Sequence, residues 1–222
     1  MPNALIFGVS GAIGAATADA AIHEGFCVYG LCRTAITVPG ITICRADIRR
    51  PLELESAIAA LPPFNLIVFC QGMQPALNLA SSSHEHVLEM FETHVIGTML
   101  AMRHLLPKLA DRACVVMLSS NAAKKGSYDP AYAAAKGAIV SLTTSLAKEL
   151  KSRARVNCIA PGLVAESPVH CSMKAEHEGI HRSRMFMNEL VHADEVASLV
   201  LEIYRNESIS GAVIPLDRGY SE

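Results

Sequence analysis

The first 25 residues constrain this chain more than any other stretch. Ala4-Leu5-Ile6-Phe7 is a short apolar run without charge, the pattern of a parallel strand buried on both faces. It leads into Gly8-Val9-Ser10-Gly11-Ala12-Ile13-Gly14 and then an alanine-rich helical stretch to Glu24, with Gly25 as the stop. Strand, glycine-rich turn and helix, in that order, bring a helix N-terminus to the end of a buried strand. Glycines there admit close backbone approach, and the open helix amides favour the negative charge of a pyrophosphate. The glycines fall at 8, 11 and 14, a spacing other than G-x-G-x-x-G. A tight strand–helix connection uses the same residues. The position directly after a first strand favours nucleotide binding.

The same alternation continues along the chain, with no linker, repeat or low-complexity segment. Phe26 to Leu31 reads as a second strand, Ile41 to Cys44 as a third, Leu66 to Cys70 as a fourth and Cys114 to Leu118 as a fifth. Val156 to Ile159 and Ala212 to Leu216 complete the set. Helices are expected from Pro51 to about Leu61, with proline at the first turn, and from Ser81 to Leu106, with Ser83 as cap and Val87, Met90, Phe91 and Val95 as the apolar series. Further helices run from about Pro130 to Lys151 and from Ala193 to Arg205. The stretch from Arg33 to Gly40 is too short for a long helix, and the pattern between Pro161 and Ala193 is irregular.

On the helix after the fifth strand lies Tyr132-Ala133-Ala134-Ala135-Lys136, and twelve residues before the tyrosine comes Ser119-Ser120. Residues four apart on a helix share a face. A phenol loses its proton near pH ~10, and an ammonium beside it lowers that value. A serine hydroxyl from a strand end can hold a carbonyl oxygen against the phenol, so the three groups suit proton transfer at a carbinol oxygen. A Tyr-x-x-x-Lys pair by itself also describes many solvated helix faces.

Composition narrows the classes. A chain of 222 residues with 51% hydrophobic content supports one substantial core and is short for two domains. Net charge is -2, Trp is absent and no basic cluster is long, which argues against nucleic acid as a partner. No apolar stretch reaches membrane-spanning length, so no membrane is expected. Seven scattered cysteines without a Cys-x-x-Cys read as buried free thiols in a reducing compartment; with no secretory signal after Met1, the cytoplasm is the expected location. Of the nine histidines, only His177 and His181 have helical i, i+4 spacing, and no further ligand set is evident, so no metal is expected.

Taken together the chain resembles the short-chain dehydrogenase/reductase family nearly end to end. The family has a T-G-x-x-x-G-x-G turn, an N-N-A-G segment after the fourth strand, a serine on the fifth, Y-x-x-x-K, P-G after the sixth strand and a terminal D-G-G. Here the order is Gly8 to Gly14, Phe69-Cys70-Gln71-Gly72, Ser120, Tyr132 and Lys136, Pro161-Gly162, and Asp217-Arg218-Gly219. The resemblance implies an α/β fold: one doubly wound Rossmann domain over residues 1–222, a seven-stranded parallel sheet with helices on both faces, and a substrate lid at about 163–192. It implies catalysis by Tyr132 as general acid or base, Lys136 as the group that lowers its pKa and holds the nicotinamide ribose, and Ser120 on the substrate oxygen. The serine-to-tyrosine gap is one residue shorter than usual, which leaves Ser119 as a rival. His94 takes the place of a family asparagine that holds a relay water; a water-holding role and a packing role are both open.

The implied cofactor site comprises Gly8, Ser10, Gly11, Ala12, Ile13, Gly14, Arg33, Asp47, Ile48, Cys70, Gln71, Gly72, Tyr132, Lys136, Pro161, Gly162 and Val164. No Asp or Glu lies between Phe26 and Ala46 to accept from a ribose 2′-hydroxyl, and Arg33 follows the second strand instead. A guanidinium can hold a 2′-phosphate, so NADP(H) is expected over NAD(H). Asp47 is expected beside the adenine. The chain departs from the family at Phe7, Ala12, Phe69, Cys70, Glu166 (with Ser167 adjacent) and Arg218. The activity implied is reduction of a small-molecule carbonyl or oxidation of an alcohol. A non-catalytic NADP(H)-binding sensor or scaffold, and a same-fold enoyl reductase or epimerase, are the alternatives. A homodimer or homotetramer is expected, paired through the long helix and the Tyr132 helix, where Ala138, Ser141 and Ser145 are small.

Overall fold

The computed structural model describes residues 1–220. Seven parallel strands form one sheet: β1 (Asn3–Phe7), β2 (Cys27–Cys32), β3 (Ile41–Arg45), β4 (Phe64–Phe69), β5 (Leu109–Leu118), β6 (Ala154–Pro161) and β7 (Val213–Leu216). Their order across the sheet is β3-β2-β1-β4-β5-β6-β7. The helices are α1 (Ala12–His23), α2 (Pro51–Ala59), α3 (His84–Phe91), α4 (Gly97–Leu105), α5 (Ala122–Lys125), α6 (Pro130–Leu150), α7 (Pro168–Cys171), α8 (Ala175–Ser183) and α9 (Ala193–Arg205).

Strand residues alternate between two cores. Leu5, Phe7, Ile67, Phe69, Val115 and Met117 pack with Leu54 and Ile58 of α2, Ala101 and Leu105 of α4 and Ile139 of α6. Their neighbours Ala4, Ile6, Leu66, Val68, Cys114 and Val116 pack with Ala18 and Ala21 of α1 and with Val196, Val200 and Ile203 of α9. Both faces of each central strand are therefore buried, which is why these strands read as continuous apolar runs. The architecture is the expected doubly wound Rossmann fold. Strand order reverses between β1 and β4, and ligands of open α/β sheets lie beyond such a point.

Several local expectations change. The stretch from Ser81 to Leu106 is not one α-helix. Ser83 does cap it, accepting from the His86 amide at 3.1 Å, but α3 ends at Phe91 and a π-helical turn, Glu92–Ile96, precedes α4. The hydroxyl of Thr98, on α4, donates at 2.8 Å to the carbonyl of His94 in this turn. A π-turn leaves the apolar spacing nearly intact, so periodicity does not reveal it. Val87, counted with the apolar face, is exposed at 38%. Strand β5 begins at Leu109, through the exposed Asp111 and Arg112, which carry no apolar signal. Of the cysteines, Cys32, Cys114 and Cys158 are buried, Cys44 and Cys70 partly so, and Cys27 and Cys171 are exposed. All seven are free thiols, so burial is not general. On α6, Ile139 and Leu150 are buried, with Leu142 and Leu146 packed beside them, while Ser141 and Ser145 face outward. Among the described residues no helix is long and apolar enough to cross a membrane.

Candidate active site

The turn after β1 is shaped by what its glycines lack. Gly8 has φ +73°, and a Cβ there would lie 2.7 Å from the Gln71 backbone. A Cβ on Gly14 would lie 2.2 Å from the Gly8 carbonyl oxygen, so α1 rests directly on the strand end. At Gly11, the N-cap of α1, a Cβ would meet only the Gly8 oxygen at 3.5 Å, and no side chain caps the helix. The N-terminus of α1 is thus open toward a cavity of about 1260 Å³. The cavity starts at Arg33, Asp47 and Ile48, crosses Gly8 to Gly14 and Cys70, Gln71 and Gly72, and reaches Ser120, Tyr132 and Lys136. Pro161, Gly162 and Val164 line it too, as do Met73, Tyr128, Met173, Arg184 and Tyr220 toward the 163–192 segment. Every residue singled out from the sequence for catalysis or cofactor binding borders this one cavity. A cavity with an open helix N-terminus and glycines at 8, 11 and 14 of the turn fits a dinucleotide.

Tyr132 lies on the first turns of α6, after an Asp129 cap and Pro130 at the first helical position. The Lys136 ammonium is 5.7 Å from the Tyr132 ring centroid, and the His94 ring meets Tyr132 edge-on at 5.8 Å. Burial pushes the Tyr132 phenol above its ordinary pKa, while the adjacent Ser120 hydroxyl pulls the other way. Burial is the larger of the two and sets the net direction upward. The Lys136 ammonium donates to the Leu118 carbonyl at 2.9 Å. Lys136 itself is buried, and burial brings its pKa down to about 8. The two serines part company: Ser119 is buried and donates to the Lys136 carbonyl at 2.8 Å, whereas Ser120 adjoins the phenol.

His94, in the π-turn, is 2% exposed. Its Nε2 lies 3.1 Å from the Met73 amide and 3.2 Å from the Met73 carbonyl oxygen. Burial and then the nearby Lys136 charge hold its pKa well below the ordinary imidazole value, so the ring is neutral. A Cβ on Gly72 would lie 2.8 Å from His94 Cε1. Asp47 borders the cavity with its carboxylate gripped by Arg49 at 2.7 Å, and Arg49 also pairs with Glu89. Arg33 is exposed and close enough to help lower the Asp47 pKa, after Arg49. Glu166 stands outside the cavity wall, whereas Ser167 borders it and caps α7. Among the described residues no group of three or more His, Cys, Asp or Glu is arranged to hold a metal.

Sequence reasoning missed Asp129 and the loop from Met73 to Leu77. The dipeptide Asp129-Pro130 before an apolar helix was a legible cap signal. Nothing in the sequence signals that the second carboxylate oxygen reaches the Ala76 amide and His86.

A family model described as enoyl-(acyl carrier protein) reductase matches residues 8–221. The chain belongs to the short-chain dehydrogenase/reductase family, a family of oxidoreductases. It is similar to a 3-oxoacyl-[acyl-carrier-protein] reductase of Rattus norvegicus, 28% identical over 96% of this chain and 95% of the relative. It is also similar to carbonyl reductase family member 4 of Danio rerio, 27% identical over 97% and 96%. Among solved structures, a glucose/ribitol dehydrogenase-type member from Brucella melitensis superposes with a TM-score of 0.91 at 22% identity, over 100% of this chain and 97% of that one. A 3-oxoacyl-[acyl-carrier protein] reductase from Brucella melitensis ATCC 23457 gives 0.89 at 24%, over 100% and 91%.

The buried lysine has a consequence for stability. Folded Lys136 releases its proton at about 8, against 10.5 for an unperturbed side chain. Between those values the unfolded chain binds more protons, so this group makes stability rise with pH in that window. Unfolding free energy measured by denaturant titration across it should climb more steeply in the parent than in Lys136→Met. Parallel pH profiles for the two would refute the shift.

Proposed function

We propose that the protein is an NADP(H)-dependent oxidoreductase that reduces a carbonyl compound, or oxidises the corresponding alcohol. The observation that carries this reading is the meeting of Ser120, Tyr132 and Lys136 in the cavity that begins at the open N-terminus of α1. When bound, the nicotinamide cofactor supplies or accepts the hydride. The turn from Gly8 to Gly14 and the first amides of α1 hold its pyrophosphate. Asp47 and Ile48 border the adenine, and Cys70, Gln71 and Gly72 form the wall between. Pro161, Gly162 and Val164 flank the nicotinamide, and Lys136 holds its ribose. Ser120 donates to the substrate oxygen and fixes it against the phenol. Tyr132 gives that oxygen its proton in reduction and takes it back in oxidation. His94, neutral and buried beside Tyr132, holds a relay water or packs the ring in place. The segment 163–192 acts as a lid. The names of the curated relatives put 3-oxoacyl thioesters first among substrates to try, followed by simple ketones, aldehydes and enoyl thioesters.

Turnover should be followed as NADPH oxidation with acetoacetyl-coenzyme A. Tyr132→Phe should bind NADPH as the parent does and lose roughly 10²–10⁴ in kcat, the range of general acid-base catalysis. Near-parent turnover in that variant would overturn the mechanism, and an enoyl thioester as the sole substrate would favour the enoyl reductase alternative.

Cofactor choice rests on Arg33, which is exposed at the cavity end next to Asp47, whose carboxylate is already occupied by Arg49. Arg33→Ala should weaken NADPH binding about ten- to hundredfold, the worth of one charge-assisted contact, and leave NADH nearly unchanged. Equal affinity of the parent for the two cofactors, measured by calorimetry, would count against the assignment.

The chain is proposed to form a homodimer or homotetramer. Leu88, Ile96 and Met99 are exposed along α3, the π-turn and α4, and small Ser141 and Ser145 are exposed on α6. Light scattering at micromolar concentration should give a multiple of 23.7 kDa. A monomer mass would rule this out.

A further inference from the structure

The Asp129 carboxylate has no exposed surface, and among the described residues its ion-pair partner is His86. Five hydrogen-bond donors converge on it. One oxygen accepts from the amides of Ala131 at 3.0 Å and Tyr132 at 3.2 Å, at the start of α6. The other accepts from the amides of Ala76 at 3.0 Å and Leu77 at 3.3 Å, and from His86 Nε2 at 2.8 Å on α3. A carboxylate only accepts, so His86 must carry its proton on Nε2. Burial works to raise the carboxyl pKa, and the amides and His86 outweigh it, so the net direction is down.

Only the first two bonds belong to an ordinary helix cap. Of the other three, two tie α6 to a loop that has no strand or helix of its own, and the third ties it to α3 through His86. That loop forms cavity wall from Gly72 to Ala76. It is held at two further points: Met73 by His94, and the Pro75 carbonyl by the Tyr128 hydroxyl at 2.6 Å. Tyr132 stands three residues after Asp129 on the same helix. One carboxylate thus sets both the start of the tyrosine's helix and the position of the wall facing the cavity beside it.

We propose that Asp129, with His86, is a positioning residue that latches the 72–77 loop to the Tyr132 helix and so fixes the carbonyl substrate against the phenol. The proposal rests on the function proposed above. Loss of the latch lets the wall move while leaving the proton donor in place. Substrate binding should therefore suffer before chemistry does.

The test uses Asp129→Ser, because serine keeps a helix cap but cannot reach the loop as well. Amide hydrogen exchange should show Ala76 and Leu77 losing protection, with Ala131 and Tyr132 keeping theirs. With acetoacetyl-coenzyme A and NADPH, KM should rise about tenfold while kcat stays within about threefold, the pattern of lost ground-state binding. His86→Leu, which removes one bond of the five, should shift KM the same way by less. The double variant should be no worse than Asp129→Ser alone, since both act through one latch. Unchanged protection of Ala76 and Leu77, additive losses in the double variant, or a fall in kcat at constant KM would overturn the proposal. If Asp129→Ser does not fold, His86→Leu decides by the same readouts. A parent without turnover would overturn the proposed function and the positioning role together. Protection of Ala76 and Leu77 would then still decide whether the latch exists.

Discussion

Gly8 and Gln71 meet backbone to backbone where the strand order of the sheet reverses, and the rest of the site is laid out from that contact. The Gly8 amide donates to Leu31 on β2, and the Cys70 amide donates to Phe7 on β1. The two loops leaving β1 and β4 are therefore bound to neighbouring strands before they diverge. A side chain at position 8 would force them apart, since its Cβ would lie 2.7 Å from Gln71. With both loops pinned, α1 points its uncapped N-terminus into the space between them. The 72–77 loop is directed toward α6 at the same time. Phosphate binding and the substrate wall thus depend on one close approach of two backbones.

A second constraint is electrostatic. The Lys136 ammonium sits in the core, bonded to the Leu118 carbonyl and flanked by the thiols of Cys70 and Cys158. Burying a cation this way costs stability, and the lowered pKa is the sign of that cost. The same charge acts on His94, adding to burial in keeping the imidazole neutral. Of Lys136 and His94, the imidazole is thus the one held neutral.

The fold was legible because its signals are local and repeated. Apolar runs such as Leu66 to Phe69 announce strands buried on both faces, and Ser83 and Pro51 mark helix starts by mechanisms that act within a few residues. The glycines at 8, 11 and 14 and the tyrosine–lysine spacing were legible for the same reason. The π-turn at Glu92–Ile96 was not, since a single wide turn preserves the apolar rhythm on either side. Nor was the contact of Asp129 with Ala76, at 53 residues' separation, or with His86, at 43. Those bonds depend on where two loops end after the sheet has formed. Spacing likewise puts Lys136 and Tyr132 on one face but does not say that the ammonium takes the Leu118 carbonyl.

Positions where this chain departs from its family also fall into connected sets. Phe7 and Phe69 take the places of a threonine and an asparagine, and their rings stack with centroids 4.5 Å apart on adjacent strands. An aromatic pair packs the two strand ends where the family pattern has polar side chains. His94 requires Gly72, because a Cβ there would collide with the imidazole. Gln71 donates to Thr98, and Thr98 donates to the His94 carbonyl, so the π-turn carrying the imidazole is braced from the loop beside it. Arg218, in the place of a glycine, pairs with Glu195 at the start of α9. Phe7, Phe69, His94 and Arg218 thus each meet a specific partner, while Ser120, Tyr132 and Lys136 keep their own identities.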